Sequence, residues 1–259
     1  MSKIEILISC HKPSKTLNNK IVKPIQVGSA LAKKELDVPY HDNIGENISH
    51  KNKRYCELTA QYWAWKNIDA DFYGFFHYRR YLSFSKKKYP RWPLFDVKIE
   101  SLNNENIQKF GWSEDIMKKE IEKYDLIIPQ RSFCVSNYYH YKTANGHHIR
   151  DLDFCLDVIK KDYPQMYPTA KKYMRSGFAY FCNMFIMKKE LFNKYNEWLF
   201  DILQKHEDKY PCEDYNTREY RVSGFLAERL CGIYITWLKQ NKDLKIKEVQ
   251  RIKINSTDL

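Results

Sequence analysis

His77, Tyr78, Arg79 and Arg80 are four consecutive side chains suited to holding an anion. Two adjacent guanidinium groups are costly to bury unpaired. They offer the bidentate, charge-assisted hydrogen bonds that a diphosphate accepts. Just upstream, Asn47, Lys51, Asn52, Tyr55, Glu57, Tyr62, Trp63, Trp65, Lys66 and Asn67 mix polar and aromatic groups densely, and both blocks fall within residues 43–81. A third rich stretch, residues 137–157, holds His140, His147, His148, Asp151 and Asp153. His148 and Asp151 are three apart and would share a helix face. A carboxylate beside a histidine is a usable general base. Each block also has a plainer reading: a solvated turn, a helix with aromatic filler, and N-cap and surface charge.

These groups need elements to carry them. Residues 72–76 (FYGFF) read as a short buried strand. Its carboxyl end would present residues 77–80, where ligands of open α/β sheets bind. Residues 3–10 read as a first strand ending at His11 and Lys12, placed to meet a nucleotide or left as solvated charge. In residues 47–67 a helix would set Leu58, Tyr62 and Trp65 on its core face, beside Cys56 and Thr59. Ser49 is its expected N-cap, with Lys51, Tyr55 and Glu57 near its positive end. Tyr62 and the nearby tryptophans would stack on a base or fill the core.

Further along, residues 25–34 read as a strand or turn and a small helical piece, and residues 37–48 as a polar loop. Residues 85–106 read as an irregular loop near an acceptor, with Pro90 and Pro93. A helix over residues 113–123 starts at Ser113, and a strand covers residues 124–129. Residues 176–187 read as one apolar strand interrupted by Asn183, which either makes a structural hydrogen bond or faces a ligand. Residues 188–205 have helical periodicity. Residues 220–238 form a last long helix or helix pair, carrying Arg221, Glu228 and Arg229 paired with one another or with the central block. Residues 1–238 make one domain, and residues 239–259 a basic polar surface extension. There is no internal repeat.

Composition narrows the class. A chain of 259 residues with 43% hydrophobic content supports one α/β domain. The net charge of +12 attracts anionic substrates, polyanions or an anionic membrane face. The lysines are scattered and no zinc-finger or RNA-recognition motif is present, so nucleic acid is not an expected partner. Seven cysteines, an odd number without a CxxC pair, read as reduced thiols. No signal peptide and no apolar run near 18 residues is found, so the expected location is cytoplasmic, with peripheral contact at the inner membrane face.

The strings ENISHKNKRYCELTAQYWAWKN, GFFHYRRYL, CNMFIMKKELFNKYNEWLFDIL and RVSGFLAERL resemble a family of bacterial glycosyltransferases. That family occurs in capsule and exopolysaccharide gene clusters and was long described only as a domain of unknown function. Some members resemble galactofuranosyltransferases. The resemblance covers roughly residues 4–237. It implies a single GT-A-like, Rossmann-like nucleotide-sugar-binding α/β domain, with a mixed sheet flanked by helices and a helical C-terminal part. It also implies transfer of a hexose from a UDP-sugar donor to a saccharide or lipid-linked glycan acceptor. The positions matching the family are Asn47, Lys51, Asn52, Tyr55, Glu57, Tyr62, Trp65, Lys66, His77, Tyr78, Arg79, Arg80, His148, Asp151, Asn183, Arg221, Gly224, Glu228 and Arg229. Glu213 and Asp214 fall on no family motif.

The expected roles follow. Asp151, oriented by His148, deprotonates the acceptor. The donor contacts are His11, Lys12, Asn47, Lys51, Asn52, Tyr55, Glu57, Tyr62, His77, Tyr78, Arg79 and Arg80. Asn183, Arg221, Glu228 and Arg229 serve the acceptor or support the site. GT-A enzymes commonly hold a divalent metal on Asp-x-Asp at the strand end; here that position reads His-Tyr-Arg-Arg, so no metal cofactor is expected. Asp69 and Asp71 keep a manganese or magnesium site as the lesser reading. A non-catalytic, basic polysaccharide-binding protein is the rival from another class. A phosphotransferase is disfavoured by the lack of a Gly-rich phosphate loop.

Overall fold

The computed structural model describes residues 2–91, 95–241 and 243–257. Its strands are β1 (Ile4–Cys10), β2 (Val22–Gln26), β3 (Tyr40–His41), β4 (Phe72–His77), β5 (Arg80–Leu82), β6 (Val97–Ser101), β7 (Leu126–Pro129), β8 (Ser132–Phe133), β9 (Phe178–Ala179), β10 (Phe185–Lys188), β11 (Ile246–Val249) and β12 (Arg251–Ser256). Its helices are α1 (Asn52–Tyr55), α2 (Leu58–Asn67), α3 (Asn104–Lys109), α4 (Glu114–Ile121), α5 (Asn137–Thr143), α6 (Ile149–Asp162), α7 (Tyr167–Arg175), α8 (Lys189–Lys209) and α9 (Val222–Asn241).

Among the described residues ten strands join one mixed sheet, whose main path runs β11, β7, β10, β4, β1, β2, β3. β1 pairs parallel with both β2 and β4. β10 runs against β4 and β7, while β5 turns back on β4 through His77 and Arg80. β12 pairs with β5 and β6 and extends the sheet sideways. The chain leaves β1 toward β2 and returns on its other side as β4. That reversal opens a crevice at the carboxyl ends of β1 and β4.

Period-two alternation in the strands divides the core. In β4, Tyr73 and Phe75 pack with the helices α2 and α6–α9, while Phe72 and Phe76 face the opposite cluster. β7 does the same, with Leu126 and Ile128 on one side and Ile127 on the other. At Gly74 a side chain would come within 2.9 Å of both Ile6 and Ile186, so only glycine lets β1 and β10 close on β4.

Several expectations are corrected. The C-terminal surface extension is instead sheet: β11 and β12 carry residues 246–256, and Ile252 and Ile254 are buried. Strand alternation there was masked by the lysines between the apolar positions. Residues 85–106 are not wholly irregular, since β6 and the start of α3 lie inside them; Pro93 lies outside the described residues. The block at residues 47–67 is not one helix. It is a 3₁₀ turn, then α1, a break at Cys56 with φ 53°, then α2. Ser49 does not cap it; its hydroxyl bonds the Asp42 carboxylate and accepts from the Ala30 amide. The apolar stretch at residues 176–187 is split between β9 and β10 by a left-handed turn at Cys182 and Asn183, φ 78° and 45°.

Candidate active site

The crevice at the ends of β1 and β4 is a cleft of about 620 Å³. β1 brings Ser9 and His11, and β4 with its turn brings His77, Tyr78, Arg79 and Arg80. The break at Cys56 turns the chain so that Asn52, Lys53, Cys56 and Glu57 face the same space. The segment before α9 and its first turns add Thr217, Arg221, Gly224, Phe225 and Glu228. Lys53, Arg79, Arg80 and Arg221 thus share the cleft lining with two carboxylates, Glu57 and Glu228.

The left-handed turn at Cys182 and Asn183 ties these groups together. His77 donates from Nε2 to the Cys182 carbonyl at 2.7 Å. The Cys182 amide donates to Glu228 Oε1 at 2.8 Å. Asn183 is buried and donates to Glu57 Oε1 at 2.8 Å and toward the Gly224 carbonyl at 3.3 Å. Asn183 therefore takes the structural one of its two expected roles and lies behind the cleft lining. Glu228 Oε2 makes no hydrogen bond among the described residues but is ion-paired with the Arg229 guanidinium at 3.6 Å. Glu57 keeps Oε2 without a hydrogen bond among the described residues.

The arginines differ. Arg80 lies 3.5 Å from Asp96, which also binds buried Arg251. Arg79 has no carboxylate partner among the described residues and packs its guanidinium over the Tyr78 ring at 5.5 Å. Arg221 donates to Cys56 Sγ at 3.3 Å. Burial raises the Cys56 and Cys182 thiols to about 11, so both are protonated at neutral pH. His11 is lowered by burial, then by Lys12, Arg221, Arg79 and His77, and it meets Tyr78 edge-on at 5.0 Å.

The loop behind this wall hangs on one carboxylate that the sequence did not single out. Asp42, fully buried, accepts from the Gly28 and Ser29 amides at 2.8 and 2.9 Å and from the Ser49 and Thr59 hydroxyls. Gly28 has φ 67°, and a side chain there would meet Asn52 Cγ at 2.7 Å. Asn52 itself donates to the Cys56 carbonyl at 2.8 Å and fixes the break.

Other expected contacts lie elsewhere. Lys51 and Tyr55 both bind Glu207 on α8 at 2.8 Å, since the broken helix turns them away from the cleft. Asn47 serves its own loop through the Gly45 carbonyl and the Ser49 amide. Tyr62 bonds Glu46, and its ring meets Phe200, on which Trp65 stacks at 5.9 Å; these aromatics are packing. Lys12 is outside the lining, 5.8 Å from the Tyr78 ring centre. Arg229 is buried and donates to His140 Nδ1 at 2.8 Å.

The expected pair of Asp151 and His148 is not formed. Asp151 is fully buried and accepts from His206 Nε2 at 3.0 Å and from the Tyr215 hydroxyl at 2.8 Å. His206 Nδ1 in turn accepts from buried Arg54 at 3.1 Å. His148 stacks on Tyr215 and reaches Glu219 at 3.3 Å. The spacing of three fails because His148 precedes the first turn of α6 rather than lying on its face. Asp69 and Asp71 sit at the start of β4, at the end of the strand opposite the cleft, bonded to Lys189 and to the Lys3 amide. The cleft residues missed by the reading, Lys53, Thr217 and Phe225 among them, carry no periodic or motif signal.

A family model described as a domain of unknown function, DUF4422, matches residues 5–242. The chain belongs to the DUF4422 family. The DUF4422 chain is also similar to a solved structure, the apo form of WbbM, a bifunctional glycosyltransferase, with 39% identity and a TM-score of 0.94. The match covers 99% of this chain and 46% of WbbM, so this chain spans about half the length of that relative. No curated protein matches the chain. The sheet order and the WbbM likeness give this DUF4422 member the mixed α/β, GT-A-like architecture expected from its sequence.

Proposed function

We propose that this chain is a glycosyltransferase. It moves a hexose, with galactofuranose the first candidate, from a UDP-sugar to a saccharide or lipid-linked glycan in capsular or surface polysaccharide synthesis. The observation that carries this reading is the cleft's charge arrangement: four cations converge on a strand-end crevice that also holds a carboxylate with one uncommitted oxygen. The likeness to WbbM supports it. A nucleotide-sugar donor sets the reaction in the cytoplasm.

In this mechanism the acceptor hydroxyl attacks the anomeric carbon while the bond from that carbon to the diphosphate oxygen breaks. The electron pair leaves with the UDP, whose growing charge meets Arg79, Arg80, Arg221 and Lys53. The hydroxyl proton passes to Glu57 Oε2, which takes the base role first sought in Asp151. Asn183 holds the other Glu57 oxygen and fixes the carboxylate's aim. The chain's own cations neutralise the diphosphate in place of a divalent metal. The charge of the lining supports this: guanidinium groups at the strand end repel a cation, and Glu228 is tied to the Cys182 amide and ion-paired with Arg229.

A panel of nucleotides and nucleotide sugars, scored by thermal-melt shift with and without EDTA, tests both statements. A selective shift with UDP or a UDP-sugar that survives EDTA is expected. Loss of activity in EDTA, restored by manganese or magnesium, would sink the metal-free mechanism. No shift with any nucleotide in a folded protein would turn the assignment to polysaccharide binding without catalysis.

A further inference from the structure

We propose that a basic, aromatic surface built around β8 and β9 docks this protein on an anionic lipid bilayer. Four of its large apolar side chains face solvent: Val135 is 75% exposed, Tyr139 55%, Phe133 52% and Phe178 45%. They form one patch, because Phe133 and Phe178 are cross-strand partners with rings 5.9 Å apart. Tyr139 follows in the first turn of α5. The patch is built by alternation: Ser132 and Cys134 turn inward while Arg131, Phe133 and Val135 turn out. Exposed apolar side chains gathered in this way mark a binding surface.

Charge says what covers it. Residues 130–150 and 163–189 contain no Asp or Glu. Arg131 lies over the Phe178 ring at 5.2 Å, and Lys171, Lys172 and Arg175 are exposed at the end of α7, just before β9. Among the described residues, the carboxylates bonded to the patch's own stretches, residues 131–143 and 167–180, come from outside them and are engaged: Asp153 with Tyr138, and Glu248 with Tyr180 and Lys239. Aromatic rings at headgroup depth, ringed by cations, are the arrangement by which a protein lies on an anionic leaflet without crossing it. No helix among the described residues is long and apolar enough to cross a membrane.

The surface is also next to the cleft. Phe178 precedes the cleft residue Cys182 by four positions, a span of at most about 14 Å of extended chain. Docking through β8 and β9 therefore brings the Cys182 wall of the cleft near the bilayer, where a lipid-linked saccharide acceptor would be met. That last clause rests on the transferase reading; the docking does not.

The test is sedimentation of the full chain with vesicles of phosphatidylglycerol and phosphatidylcholine, against phosphatidylcholine alone. Binding to the anionic vesicles is expected, weakened by salt. The Phe133→Ser/Phe178→Ser variant should lower it about tenfold or more. Arg131→Ala/Arg175→Ala should lower it several-fold, and serves if the aromatic variant unfolds. The melt and the UDP shift of both variants should match the parent. A parent that stays in the supernatant at low salt overturns the proposal, as does binding that neither variant changes. Self-association that the aromatic variant abolishes, without vesicle binding, also overturns it and makes the patch a contact between copies. Vesicle binding without a UDP shift would fail the transferase reading alone; a UDP shift without vesicle binding would fail the docking alone.

Discussion

Asn183 holds Glu57 across 126 residues of chain, amide nitrogen to carboxylate oxygen at 2.8 Å. It does so from a backbone with φ 45°, next to Cys182 at φ 78°. Two consecutive left-handed residues other than glycine cost of order 1–3 kcal/mol each and persist only where neighbours hold them. Here the neighbours are His77 and Glu228, both cleft residues. The turn thus ties together three side chains that line the cleft, His77, Glu57 and Glu228.

A pair of glycine substitutions separates positioning from mere folding. Asn183→Gly keeps the left-handed backbone but removes the hold on Glu57; kcat should fall roughly 10- to 100-fold, the cost of a charge-assisted hydrogen bond, with UDP affinity kept. Cys182→Gly accepts the same backbone and leaves every bond to His77 and Glu228 in place. Its turnover should be near that of the parent and its stability within about 1 kcal/mol. Equal activity loss in both would mean that the turn is only structural.

How far the site was legible follows from this turn. His11, His77, Tyr78, Arg79 and Arg80 were marked by type at strand ends, Asn52, Glu57, Arg221 and Glu228 by type and the family resemblance, and all line the cleft. Lys51 and Tyr55 were assigned to it on the assumption of one continuous helix. The break at Cys56 rotates them onto Glu207, and no glycine or proline announces that break. Asp151 was chosen by local spacing, whereas its partners His206 and Tyr215 come from 55 and 64 residues away. The central strands β1 and β4 were readable because burial on both faces leaves a continuous apolar run; β12 was not, because Lys253 and the polar residues around it break the run.

The two strand-end arginines should separate under alanine substitution. Arg79 has no carboxylate partner among the described residues, so Arg79→Ala should weaken UDP binding by about 10- to 100-fold and leave the melt unchanged. Arg80 shares Asp96 with Arg251. Arg80→Ala should therefore weaken UDP binding and also lower the melting temperature. Calorimetric titration with UDP beside a melting curve reads both; unchanged affinity in Arg79→Ala would remove it from the diphosphate site.

Asp151→Asn should damage the fold rather than the chemistry. The substitution removes the charge from a buried chain running Arg54, His206, Asp151, and breaking a buried ionic group commonly costs about 3–5 kcal/mol. The denaturation midpoint should fall while the folded fraction still binds UDP. Glu57→Gln should do the reverse, keeping the midpoint and losing turnover by orders of magnitude. A stable, inactive Asp151→Asn would restore the base role to Asp151.

Acid should loosen this protein through its histidines before its carboxylates titrate. Burial, then the positive field of Arg229, His140 and Arg218, holds His147 down to about 3 against an ordinary 6.5, with Asp151 opposing. His147 stacks on Tyr141 at 4.5 Å and meets Phe225 at 4.1 Å, and its Nδ1 is buried without a hydrogen bond. His11 and His140 are lowered in the same direction, again by burial first. Between the two values the unfolded chain binds a proton that the folded chain refuses. The stability contributed is therefore complete above about 6.5, declines as pH falls toward about 3, and is level below that. The melting temperature should drop as pH goes from 7 to 5, and His147→Phe, which keeps a ring against Tyr141 and Phe225, should drop less steeply. Parallel curves for parent and variant, or a melt that rises on acidification, would show that His147 takes up its proton freely in the folded state.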